Sequence, residues 1–220
     1  MSGIQPETTR TINVTAAMST AQIQSQLDGI GKYIPYGVTV TVSFAAGTYT
    51  LTAPLTLDGF FGGGTVRLLG DATGGPVRHT TQTSILTTQA ANTDTLYVRD
   101  CDCLIRIDYL RITPDATGDK HGVEVNRSRD VAIRYCYFLG NNVSAGHGVM
   151  ALTQSQVTVE ATQFTNIGVG FSSIAGAIGV SNGNASSGTG NGGLYVDGAA
   201  IFRMTASEPT PVTNNRGLVP

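Results

Sequence analysis

The sequence predicts an all-β protein: a right-handed, single-stranded parallel β-helix with a short N-terminal capping helix. Two observations carry that expectation. A register returns every 22 to 27 residues from Leu96 onward, with His121-Gly122-Val123 reappearing as His147-Gly148-Val149, Val169-Gly170-Phe171 and Gly192-Gly193-Leu194. Within it, Val131, Ile133, Tyr135 and Phe138 recur 26 positions later as Val157, Val159, Ala161 and Phe164, and Ile105, Ile107, Tyr109 and Ile112 fit the same template one unit earlier. Short apolar-x-apolar runs at such a period describe a solenoid, in which each coil buries its apolar face against the next. A β-sandwich also uses many short strands, but it does not demand a constant offset.

The elements follow in order. Thr11 to Val14 reads as a strand within a Thr-rich lead-in. Ser19-Thr20 open a short amphipathic helix whose apolar stripe carries Met18, Ile23, Leu27 and Ile30. Tyr36 to Phe44 alternates as a strand with Val38, Val40, Val42 and Phe44 on one side. Ala45 to Tyr49 is expected to turn into a strand from Leu51 to Leu57, and Gly59 to Gly64 to turn into Thr65 to Leu69.

Repeating coils then run to about Met204. In one of them, Val123 and Val125 point inward on a first strand and Asn126 to Asp130 turn the corner. Val131 and Ile133 lie on a second strand, Tyr135 to Phe138 form a third, and Gly140 to Gly146 return the chain. Coils ~4.8 Å apart bring equivalent residues into columns. The expected inward columns are Leu96/Val123/Val149/Phe171/Leu194 and Ile107/Ile133/Val159/Val180. The organisation is a lead-in with capping helix over 1–35, the β-helix over 36–204 and an extended tail over 205–220. The helix suits the N-terminal end of the stack; the far end needs the tail or neighbouring chains to cover it.

Composition excludes several classes. Glycine is abundant at 28 residues, charged residues make up 13 %, Trp is absent and the net charge is -2. Without a basic stripe there is no reason to expect nucleic acid. No run reaches the ~18 apolar residues that span a bilayer, and Met1 to Pro6 lacks the basic and apolar regions of a signal peptide. Cys101, Cys103 and Cys136 do not have zinc-site spacing and read as reduced thiols in or beside the stack.

The short helix, then Val40-Thr41-Val42-Ser43-Phe44-Ala45-Ala46-Gly47-Thr48-Tyr49, a strand with Leu55, and Val66-Arg67-Leu68-Leu69-Gly70, resembles the opening segment of pectate-lyase-like β-helix proteins, which include phage tailspikes and tail fibres. Gly59-Phe60-Phe61-Gly62-Gly63, His121-Gly122-Val123 and Arg134-Tyr135-Cys136-Tyr137-Phe138-Leu139-Gly140 resemble small bacteriophage or prophage tail-fibre-like proteins more closely. The resemblance covers roughly residues 11–200. It implies a homotrimer in the virion tail, made in the host cytoplasm without a signal peptide and attached to other phage tail proteins. It further implies a flank or tip that meets host-surface polysaccharide or lipopolysaccharide. Tailspikes of this kind often cleave polysaccharide, but no catalytic motif of theirs carries over to these residues.

Glycoside hydrolysis needs two carboxylates ~5–9.5 Å apart, and β-elimination needs a base near a charge stabiliser. The richest local cluster is Asp115, Asp119, Lys120, His121 and Glu124, with Arg127, Arg129 and Asp130 nearby. The catalytic candidates are Asp119, His121 and Glu124; a solvated corner, in which His-Gly only serves the turn, is the plainer reading. Tyr97, Glu124, Met150, Ser172 and Tyr195 fall in the outward slot of successive coils, so Tyr97, Glu124, Arg127 and Tyr195 are candidates for sugar binding.

Gly188-Thr189-Gly190-Asn191-Gly192-Gly193 matches the dinucleotide fingerprint without its strand-to-helix context, a chance match. Asn13-Val14-Thr15 and Asn142-Val143-Ser144 fit the glycosylation pattern, which matters only on a secretory route. Neither a nucleophile elbow, a metal-binding His pair nor a phosphate loop is present, so no metal and no cofactor is implied. The sequence therefore points to a structural, receptor-binding tail protein that engages surface carbohydrate, with polysaccharide hydrolysis or lysis as the alternative and a spacer that binds nothing as a third, weaker reading.

Overall fold

The computed structural model describes residues 6–72, 82–88, 93–114, 120–140, 146–187 and 192–204. Among these residues the chain winds into a parallel β-helix of about 6 turns with one short helix. Three sheets wall the coil. The first takes in order Arg10–Val14, Thr39–Phe44, Phe61–Leu69, Asp102–Asp108, Val131–Arg134, Gln156–Glu160, Ile178–Asn182 and Ile201–Met204. The second takes Gly47–Leu51, Ser84–Thr88, Arg111–Thr113, Tyr137–Leu139, Gln163–Thr165 and Ala185–Ser187. The third takes Leu55–Asp58, Leu96–Arg99, His121–Asn126, His147–Leu152, Val169–Ile174 and Gly192–Asp197.

The columns form because β-branched and aromatic residues alternate with polar ones, so one register buries a whole file. Leu96, Val123, Val149, Phe171 and Leu194 pair rung to rung, and all are buried. Phe138 and Phe164 stack with ring centroids 5.2 Å apart. That stack explains the repeated glycine of the His-Gly-Val register. A Cβ on Gly122 would sit 2.6 Å from Phe138 Cδ1 and 2.7 Å from the Gly148 carbonyl, and Gly148 meets Phe164 and Gly170 in the same way.

The corners repeat in backbone rather than in residue type. Each of Gly59, Asp100, Arg127, Thr153, Ala175 and Gly198 follows a third-sheet strand and has positive φ, between 41 and 69°. Tyr109, Tyr135, Ala161 and Gly183 do the same after first-sheet strands. Buried side chains then satisfy backbone groups that the bends leave over. Ser128 Oγ accepts from Cys101 N–H at 3.1 Å, Ser155 Oγ from Ser128 N–H at 3.3 Å, and Thr162 Oγ1 from Cys136 N–H at 3.3 Å. The three cysteines are buried and free.

Thr20–Asp28 forms the helix, with Ser19 and Gln22 closing a capping box and Ile23 and Leu27 buried. It caps the third sheet by imitating a strand: Gln24 Nε2 donates to the Thr56 carbonyl at 3.1 Å, and Gln24 Oε1 accepts from Thr56 N–H at 2.8 Å. Thr20 Oγ1 accepts from Thr52 N–H at 2.9 Å.

Five expectations change. Gly47–Leu51 is a strand rather than a turn, pairing Ser84–Thr88. The strand expected from Thr65 starts at Phe61, because the register shift between Phe61 and Thr65 absorbs the glycines. Tyr36 is 91 % exposed and sits in a turn closed by Val38 N–H to the Pro35 carbonyl, so that strand starts at Thr39. Val180 does not continue the Ile107/Ile133/Val159 file: it pairs with Thr158, while Ser181 pairs with Val159 and is buried. The interior there is polar, and buried Asn184 donates to Ser181 Oγ at 2.7 Å and to the Val159 carbonyl at 2.9 Å. Arg10–Val14, placed in the lead-in, is already a rung of the first sheet. The expected tail, 205–220, lies outside the described residues.

Candidate functional site

The outward ladder of the third sheet runs Thr56, Tyr97, Glu124, Met150, Ser172 and Tyr195, one residue per rung. Strand parity sets it, because Leu96, Val98, Val123 and Val125 point inward. Tyr97, Glu124, Met150 and Tyr195 are half-buried and Ser172 is fully buried, so this face is recessed rather than open.

Beside it, at the start of the strands, Asp94, His121 and Glu124 converge, one ligand atom of each lying within 4.8 Å of the others. Asp94 is 1 % exposed and His121 7 % exposed. Asp94 Oδ1 accepts from the His121 backbone N–H at 2.6 Å, which fixes the carboxylate against the neighbouring rung. Burial, and then the bonded and charged Asp94, push the Tyr97 hydroxyl well above its ordinary range. Burial and the Asp94 charge likewise raise the Glu124 carboxyl, with Lys120 pulling the other way. His147 meets His121 edge-on, with ring centroids 4.9 Å apart and planes at 63°, and its Nδ1 lies 2.6 Å from Ser172 Oγ. Burial, and secondarily His121, hold that imidazole down at about 4.

These groups can do three things. Glu124 can accept from a sugar hydroxyl beside the Tyr97 ring, with buried Asp94 held behind them. A raised carboxyl next to a second carboxylate is also the arrangement of a general acid and its partner. One imidazole and two carboxylates could further serve as a mixed N,O ligand set for a transition metal.

His121 and Glu124 therefore share one locus, while Asp119 lies outside the described residues. Arg127 stands at the other end of the strand, where Nε and Nη2 donate to the Asp100 carboxylate at 2.7 and 2.8 Å. Tyr195 is three rungs from Glu124, with its hydroxyl 3.2 Å from Asp197 Oδ2. Asp94 escaped the sequence reading, although it precedes His121 by the same 27 residues that separate Leu96 from Val123. Among the described residues, no helix is long and apolar enough to cross a membrane. Comparisons with protein-family models, curated proteins and solved structures found no match to this chain.

Proposed function

We propose that this chain is a structural and receptor-binding component of a phage or prophage tail, one that holds host-surface polysaccharide or lipopolysaccharide on its third sheet. The observation that carries the reading is the recessed ladder in which Tyr97 and Glu124 stand on adjacent rungs beside buried Asp94. A ring for a pyranose face next to a part-exposed carboxylate acceptor is what neutral sugar recognition requires. The tail assignment rests on the resemblance of residues 11–200 to tail-fibre-like proteins. A homotrimer is what the same resemblance implies, and Ile178, Val180 and exposed Ile201 on the outer face of the last rungs, beside Asp130 and Arg203, offer a neighbouring copy a mixed apolar and charged groove.

Binding to immobilised host polysaccharides and lipopolysaccharides tests the reading. Tyr97→Ala and Glu124→Gln should each weaken retention by about tenfold, the scale of one stacked or hydrogen-bonded contact. Light scattering should report three copies. A monomer that retains no glycan would overturn the proposal.

Polysaccharide hydrolysis is a second reading, favoured by the paired Asp94 and Glu124 carboxylates, which bring oxygens within 4.8 Å of each other, since glycosidases work with two neighbouring carboxylates. It predicts release of reducing ends that Glu124→Gln and Asp94→Asn abolish. Intact polymer after prolonged incubation with wild-type protein would remove it.

A further inference from the structure

The first sheet carries a different concentration of charge. Arg67 and Arg106 occupy the same outward slot on adjacent rungs, as do Asp108 and Arg134. Their neighbours Leu68, Ile105, Ile107 and Ile133 fill the interior. Asp108 is fully buried beneath the guanidinium groups. Its Oδ2 accepts from Arg67 Nε at 2.6 Å and lies 3.3 Å from Arg106 Nη2, and its Oδ1 accepts from Arg134 Nε at 3.0 Å. Three cations thus share one carboxylate. Glu160, one rung past Arg134, is the next acid, and among the described residues it forms no ion pair.

That imbalance matters physically. Arg67 and Arg106 are like charges on rungs ~4.8 Å apart, an arrangement that costs free energy unless anions compensate it. Each guanidinium has five N–H donors, and Asp108 offers two oxygens among three of them. The arginine side chains are 25, 28 and 26 % exposed, so part of each reaches solvent on the same face, while Arg106 Nε is buried without a hydrogen-bond partner. Ala132 fills the slot past Arg106 and leaves that flank low. At the corner next to Asp108 and Arg134, the rings of Tyr109 and Tyr135 stack 5.0 Å apart, with the Arg134 guanidinium 5.8 Å from the Tyr135 centroid.

We infer that Arg67, Arg106 and Arg134 form a binding site for an oxyanion carried on a sugar, a uronate carboxylate or a sulfate ester, with the Tyr109/Tyr135 pair beside it as the platform for the pyranose. Guanidinium forks match such anions two bonds at a time. The oxyanion specificity stands on the arginines alone; its sugar carrier rests on the carbohydrate reading above. The ligand would then be an acidic glycan, read on a different sheet from Tyr97 and Glu124.

Calorimetric titration with three hexasaccharides tests this: hyaluronan, which bears only uronate, chondroitin sulfate, which bears uronate and sulfate, and neutral maltohexaose. The acidic pair should bind, with affinity falling steeply as salt is raised, and equal or unequal affinities would assign the site to carboxylate or to sulfate. Arg106→Gln is the informative variant, because Arg106 makes the longest contact and Asp108 keeps Arg67 and Arg134. It should cut acidic-glycan affinity about tenfold or more with an unchanged unfolding midpoint. Full affinity in Arg106→Gln, or no binding of either acidic hexasaccharide, overturns the inference. Binding of maltohexaose alone would overturn it and leave the carbohydrate reading standing, whereas acidic binding that survives alongside failure of the Tyr97 and Glu124 tests would separate the two sites in the opposite sense.

Discussion

Gly148→Ala tests the packing that produces the His-Gly-Val repeat. The added Cβ would lie 2.5 Å from Phe164 Cδ1 and 2.6 Å from the Gly170 carbonyl oxygen. That carbonyl is roughly 0.8 Å inside ordinary contact and belongs to the next rung's backbone, so relief requires moving a strand rather than rotating a side chain. Phe164 is fully buried and stacked on Phe138, which closes the other escape. Overpacking of this kind costs about 1–3 kcal/mol, and two simultaneous obstacles place it at the upper end, about 3 kcal/mol. At ~2–4 °C per kcal/mol for a chain of this size, the midpoint of thermal unfolding by far-ultraviolet circular dichroism should drop by about 6–12 °C. Gly176→Ala provides the contrast, since its Cβ meets nothing within 4 Å and only φ of +78° opposes it. It should cost about 1–2 kcal/mol. Equal midpoints for the two variants, or an unchanged midpoint for Gly148→Ala, would refute the argument that interlocking rings and carbonyls impose the glycine.

Three other outcomes are expected. His147 is held at about 4 against an ordinary 6.5, so its contribution to stability is complete above about pH 6.5 and is lost as the pH falls toward 4, by at most about 3 kcal/mol. Glu124, with a raised carboxyl, works in the opposite sense above 4.5, and urea unfolding of His147→Gln across that range should show a smaller acid-side loss than the parent. Burial pushes the thiols of Cys103 and Cys136 up to about 12 and raises Cys101 as well, so a disulfide reagent near pH 8 should label none of the 3 cysteines before urea is added and all of them afterwards. Gln24→Ala removes both bonds to Thr56, and hydrogen exchange should accelerate at the Thr56 amide while amides of the central coils keep their protection.

The coil stack was legible in the sequence where inward residues are large and aliphatic. Val131/Val157 and Phe138/Phe164 pair as their 26-residue offset requires. Legibility failed where the interior turns polar, since Ser181 and Asn184 carry no apolar signal and the register moved by one residue at Val180. Corners were hidden for another reason. Positive φ is carried by Asp100, Arg127 and Thr153 rather than by glycine, so the backbone repeats while the residue types do not. At the candidate site, parity alone placed Glu124 outward beside Tyr97. Asp94 was missed because it lies just outside the apolar strand that marks its coil, and only the 27-residue offset to His121 betrays it. Arg67 and Asp108 are 41 residues apart, and no periodicity of apolar residues points to their ion pair.

Successive coils lie directly above one another in a single register, and both candidate sites exist only because of that stacking. Paired cysteines on the outer face of the first sheet test this most directly, because Ala132 and Thr158 are rung partners and Val180 lies one rung further. Ala132→Cys with Thr158→Cys should oxidise to an intramolecular disulfide, since neighbouring rungs put Cα atoms ~4.8 Å apart, inside the bridging range. Ala132→Cys with Val180→Cys, about 9.6 Å apart at two rungs, should remain reduced. Cross-linking of the second pair, or of neither, would contradict the stacked coil and every site built on it.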